Sequence, residues 1–177
     1  AIMANVEHKV SLISGVHDLL PNRVGGAVLQ KNLETLGDIQ YTQEEIDFAL
    51  ELQRNNGKPE IGIDGKIRPL RETLNSPGGG STDSGDVSYN VPVVSLAATT
   101  APKGVPWHSW SVVASSGMSI GHKGMLHAAK ALGMTMVDIF KDSKLRENIK
   151  KEFDEKIGEY EYDPYLDPGP PPIDYVD

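Results

Sequence analysis

Residues 91–98 read Val91-Pro92-Val93-Val94-Ser95-Leu96-Ala97-Ala98, and this run decides the fold class. It is apolar on both faces, the pattern of a strand buried within a sheet rather than one lying on its surface. Pro92 has no N–H to give to a ladder, so pairing is expected beyond the first residues. Working outward, Val6–Ser14 (VEHKVSLIS) alternates loosely and lacks Gly and Pro, which predicts a second strand. A third, shorter one is expected at Trp110–Ala114.

Helical patterns surround these runs. Asn22 predicts an N-cap for a helix over Arg23–Leu36, with Val24, Ala27 and Val28 on one face and Gly37 as its stop. Thr42 and Glu45 have the spacing of a capping box ahead of Ile46, Ala49 and Leu50. The longest helix is expected from Ser119 to Phe140, carrying Met125, Ala128, Ala129, Leu132, Met136, Ile139 and Phe140 as a wide apolar stripe. Asp142 or Ser143 caps a last amphipathic helix to about Ile157. Helices alternating with a few apolar strands predict an α/β fold, with helices covering a mostly parallel sheet. Residues 56–80 are rich in Gly, Pro and charge and form a long loop, and the tail 162–177 is proline-rich and acidic.

Composition narrows the chemistry. The chain has 177 residues, enough for one domain, and a net charge of -8, which argues against nucleic acid and acidic membranes as partners. With no cysteine there is no thiolate ligand, disulfide or cysteine nucleophile, so any metal is held by His, Asp or Glu. No apolar run approaches a membrane span, and the N-terminus lacks a signal-peptide pattern, so a cytoplasmic protein is expected.

Two stretches carry chemistry. Gly78-Gly79-Gly80-Ser81-Thr82-Asp83-Ser84-Gly85-Asp86 brings adjacent N–H groups, two hydroxyls and two carboxylates to a backbone that a ligand can approach closely. It lacks the Gly-Lys-Ser/Thr ending of a phosphate loop, and the same pattern fits a linker running into a capped turn. Pro106-Trp107-His108-Ser109-Trp110 follows the apolar run, where ligands of α/β sheets gather. An imidazole between two tryptophans suits a metal ligand or a base, and equally a packed aromatic corner. His122 and His127 are five apart and point to different helix faces. For His8 and His17, near the N-terminus, a solvent or interface role is expected.

Taken in order, the segments VEHKVSLISGVHDLLPN (6–22), GSTDSGDVSYNVPVV (80–94), PWHSW (106–110) and SIGHKGMLHAAKALGMTMVDIFKD (119–142) resemble the C-terminal part of a dinuclear-metal amidohydrolase and peptidase family, which includes aminoacylases, hippurate hydrolases and glutamate carboxypeptidases. The resemblance implies a catalytic α/β domain with two divalent metal ions, zinc or manganese, interrupted by a lid domain that mediates dimerisation or hetero-oligomer formation. It implies that residues 1–20 end the lid, that 21–161 belong to the catalytic domain, and that 162–177 form a tail. His108 matches a histidine that binds one of the metals. Gly80, Ser81, Thr82 and Asp83 match a loop lining the substrate pocket. The reaction implied is hydrolysis of an acyl or aroyl amino acid such as p-aminobenzoyl-glutamate.

The family's His-x-Asp motif, its bridging aspartate and its Glu-Glu pair with the general base have no counterpart here. The chain is therefore expected to be a fragment of such a hydrolase and inactive alone. The alternative is a non-catalytic interaction or dimerisation module, because an unpaired strand such as Val6–Ser14 invites edge pairing.

Overall fold

Asn22 shows how the chain begins to fold. In the computed structural model, which describes residues 2–10, 12–71, 80, 82–166 and 168–170, its Oδ1 accepts the Gly25 N–H at 2.9 Å and starts α1 (Arg23–Leu36). Its Nδ2 donates to the Ile149 carbonyl of α6 (Ser143–Ile157) at 2.9 Å. The α6 carboxylate of Glu152 accepts the N–H groups of Arg23 and Val24 at 2.9 and 2.7 Å, placing negative charge where the α1 dipole favours it. The N-terminus of α1 is thus stitched to the body of α6, which with the Asn22 cap satisfies the first N–H groups that α1 itself leaves unpaired.

Between them run α2 (Gln43–Asn55), α3 (Ser84–Ser88), α4 (Trp110–Ser116) and α5 (Ser119–Lys141). The capping box of Thr42 and Glu45 is formed as its spacing predicts. α1 and α6 pack on α5, and α4 leans on the α5 N-terminal half. Leu29, Ala131 and Ile149 are buried in this three-helix core, with Asn32 Nδ2 donating across it to Thr135 Oγ1 at 3.0 Å and Asp138 Oδ2 at 2.9 Å. α2 docks on α5 through a Glu45–Lys123 ion pair at 2.6 Å. Burial alone pushes the Glu45 carboxyl up, but hydrogen bonds from Lys123, Ser119 and Thr42, with the Lys123 charge, outweigh it and bring it down to about 2.

The expected α/β sheet is not there. Among the described residues no strand forms, and the only pairing is one parallel bridge between Pro21 and Val93. The run 91–98 is extended, as its β-branched content favours, yet it lies along helices. An added Cβ at Gly25 of α1 would meet Val94 Cγ2, and one at Gly124 of α5 would meet the Thr99 carbonyl. A two-sided apolar pattern reports close neighbours on both sides but not whether those neighbours are strands. Val6, Val10 and Leu12 are exposed, so the N-terminal run has no sheet to join. The expected strand at Trp110–Ala114 is helix α4 instead, where Ser115 Oγ bonds back to the Ser111 carbonyl at 2.8 Å and both serines are fully buried.

The α5 stripe also needs correcting. Its buried side is Ile120, Gly121, Gly124, Ala131 and Thr135, mostly small residues that permit close approach. Met125, Leu132, Met136 and Phe140 face outward, with Phe140 76% exposed. No helix of the described residues is long and apolar enough to cross a membrane.

Candidate functional site

His17, expected at a solvent or interface position, is buried, with 7% of its surface exposed. Its Nδ1 lies 2.8 Å from Asp86 Oδ1 and its Nε2 2.8 Å from the Tyr160 hydroxyl. An ionised carboxylate only accepts, so Nδ1 carries the proton, and in the neutral ring Nε2 accepts from Tyr160. The ring stacks on Tyr165 at 4.3 Å between centroids and 9° between planes, and Tyr89 and Tyr162 close its other sides. Asp86 Oδ1 also accepts the His17 N–H at 3.4 Å and the Tyr162 hydroxyl at 3.1 Å. The His17 hydrogen bond, helped by Tyr162 and working against burial, holds the Asp86 carboxyl below its usual range. Tyr89 donates to Asp18 Oδ1 at 2.8 Å, and that bond, with burial and nearby charge, pushes its phenol up to about 12.

Three stretches far apart in sequence therefore meet: 17–20, α3 and the tyrosines at 160–165. Sequence reasoning missed His17 because a lone histidine carries no periodicity. The sequence showed only that a carboxylate, Asp86, closes the glycine-rich stretch.

Thr82 and Asp83 adjoin this cluster at the start of α3. Gly80, Thr82 and Asp83 are exposed, and Ser81 lies outside the described residues. Thr82 Oγ1 accepts the Ser84 N–H at 3.3 Å and the Thr82 carbonyl accepts the Gly85 N–H at 3.1 Å, which joins the segment to α3. Asp83 precedes α3 without making a side-chain cap to it.

His108 sits apart. It is exposed, as are Trp107 (72%) and Trp110 (57%), so the tryptophans do not form a packed corner around it. Its φ of 58° is left-handed, which costs a non-glycine residue on the order of 1 kcal/mol and is concentrated at functional sites. Among the described residues no group of three His, Asp or Glu side chains is placed to hold a metal ion. The described residues alone therefore do not fit a two-metal centre. His122 is exposed, and His127 Nε2 donates to the Gly37 carbonyl at 2.8 Å, capping the end of α1.

Comparison with curated proteins adds one relative. The chain is similar to a subunit of the p-aminobenzoyl-glutamate hydrolase of Escherichia coli (strain K12), 33% identical over an alignment that takes in 75% of this chain. The chain is related to that hydrolase subunit. It spans 33% of the relative's length, so the relationship concerns a part of that protein. No protein-family model matches the chain, and no solved structure matches it.

Proposed function

We propose that this chain is a portion of a metal-dependent amide hydrolase that cleaves an acyl or aroyl amino acid such as p-aminobenzoyl-glutamate. The observation that carries this reading is the similarity to the hydrolase subunit across three quarters of the chain. The exposed, left-handed His108 supports it, because a strained imidazole free of packing partners suits a ligand contributed to a centre built elsewhere. In this reading His108 gives one nitrogen to a centre of two divalent ions, zinc or manganese. The remaining ligands and the proton-transferring base come from the polypeptide that completes the assembly. Gly80, Ser81, Thr82 and Asp83 face the substrate, residues 1–20 end a lid, 21–161 belong to the catalytic body, and 162–177 form a tail. The relative is named as a subunit, which supports a hetero-oligomer as the working form.

The test is hydrolysis of p-aminobenzoyl-glutamate by the chain alone and by the chain mixed with a polypeptide corresponding to the other two thirds of the relative. Turnover only in the mixture is expected. A second reading, a non-catalytic interaction module, is favoured by the outward apolar residues of α5, since an unpartnered apolar face suits a protein partner. A stable complex without turnover would select it.

A further inference from the structure

We propose that His17 is a positioning residue, fixing Thr82 and Asp83 against substrate through Asp86; this rests on the reading of those residues as substrate-facing. α3 has five residues, too few to hold a helix unaided, so its place depends on what grips it. The grip comes from 17–20. His17 Nδ1 and its N–H hold Asp86, the Leu20 N–H donates to Ser88 Oγ at 2.8 Å, and Asp18 accepts from Tyr89 at 2.8 Å. Any side chain at Gly85 would run into the His17 carbonyl, so glycine is what lets α3 lie this close.

His17 differs from the other contacts because it is held from both sides. Tyr160 bonds its far nitrogen, and the ring is stacked on Tyr165, which leaves the imidazole one orientation. That orientation passes to Asp86, and from α3 to Thr82 through the hydrogen bonds of Thr82 to Ser84 and Gly85. Thr82 and Asp83, both exposed, are the residues whose direction it sets.

Three variants test this. His17→Phe keeps the ring and its stacking but loses both nitrogens. His17→Asn returns an amide near the Nδ1 position and so to Asp86, whereas His17→Gln reaches only toward Tyr160. In the full chain, hydrogen exchange at Gly85, Val87 and Tyr89 should quicken about tenfold more in His17→Phe than exchange at Leu29 and Ala131 does. In the chain combined with its completing polypeptide, His17→Phe should raise KM about tenfold with kcat within about threefold of wild type. His17→Asn should restore KM and His17→Gln should not. Unchanged exchange at α3 would overturn the proposal, as would exchange lost evenly across the core, or quickened exchange with an unmoved KM. A wild-type assembly without turnover would instead overturn the functional reading, and the exchange pattern on the chain would still decide whether His17 holds α3.

Discussion

His17 and His108 are the same side chain in opposite surroundings. His17 is buried, bonded at both nitrogens and stacked on a tyrosine, with its protonated nitrogen fixed by a carboxylate. His108 is exposed beside two exposed tryptophans and held in a left-handed backbone conformation. Burial with full partnering stabilises the fold and sets direction. Exposure with strain costs stability and leaves the imidazole open to solvent. The difference teaches that a histidine's role is read from what already occupies its lone pairs, not from its position in a motif.

The largest effect should come at His108. In the proposed assembly, His108→Ala is expected to lower kcat by about a thousandfold, roughly 4 kcal/mol, and to remove bound divalent metal, with the melting temperature unchanged. Metal content and kcat measured together check this. Normal metal content with normal turnover would place His108 among ordinary surface residues and collapse the contrast.

The second effect is at His17. Truncation to alanine removes a stacked ring and strands Asp86 and Tyr160, so urea unfolding of His17→Ala should show a loss of about 3 kcal/mol. His108→Ala, without the assembly, should change stability by less than about 0.5 kcal/mol.

Acid titration separates the His17 cluster from the Glu45–Lys123 pair. Both carboxyls are depressed in the folded state, Glu45 from 4.5 to about 2 and Asp86 below 3.8. Each therefore adds stability that is fully present above its unfolded value and is lost as pH falls through the folded one. Wild type should lose stability steadily from about pH 4.5 toward 2, and His17→Phe should remove the Asp86 share while leaving the Glu45 share. Thermal unfolding across that range is the measurement, and parallel curves for the two proteins would show that His17 does not hold Asp86.

The smallest effect is a gain. His108→Gly relieves the left-handed backbone, so stability should rise by up to about 1 kcal/mol, offset in part by the added freedom of glycine when unfolded. A clear loss would mean that the imidazole packs in a way its exposure does not suggest.

The starts of α1, α2, α5 and α6 were legible, whereas α4 reads as a strand and the expected sheet does not form among the described residues. Asn22, the Thr42–Glu45 box and Asp142 mark starts that the structure keeps, because capping is local chemistry between neighbours in sequence, and α5 opens at Ser119 as expected though without a side-chain cap. A strand is defined by a partner that local pattern does not name, so Val91–Ala98 reads alike whether it faces strands or the glycines of α1 and α5. The α5 stripe misled for a related reason: period shows which residues share a face, but Gly121 and Gly124 drew the helix in on the other one. At the site, the resemblance singled out His108 and the 80–83 loop. The His17–Asp86 contact spans 69 positions and left no trace in spacing.

The central claim is that this chain works as part of an amide hydrolase, and the most direct measurement is release of glutamate from p-aminobenzoyl-glutamate. The chain alone should release none above background. Mixed with a polypeptide corresponding to the rest of the related hydrolase subunit, it should turn over substrate, and that turnover should vanish in His108→Ala. Equal release by the chain alone, or full turnover by the mixture carrying His108→Ala, would contradict the account.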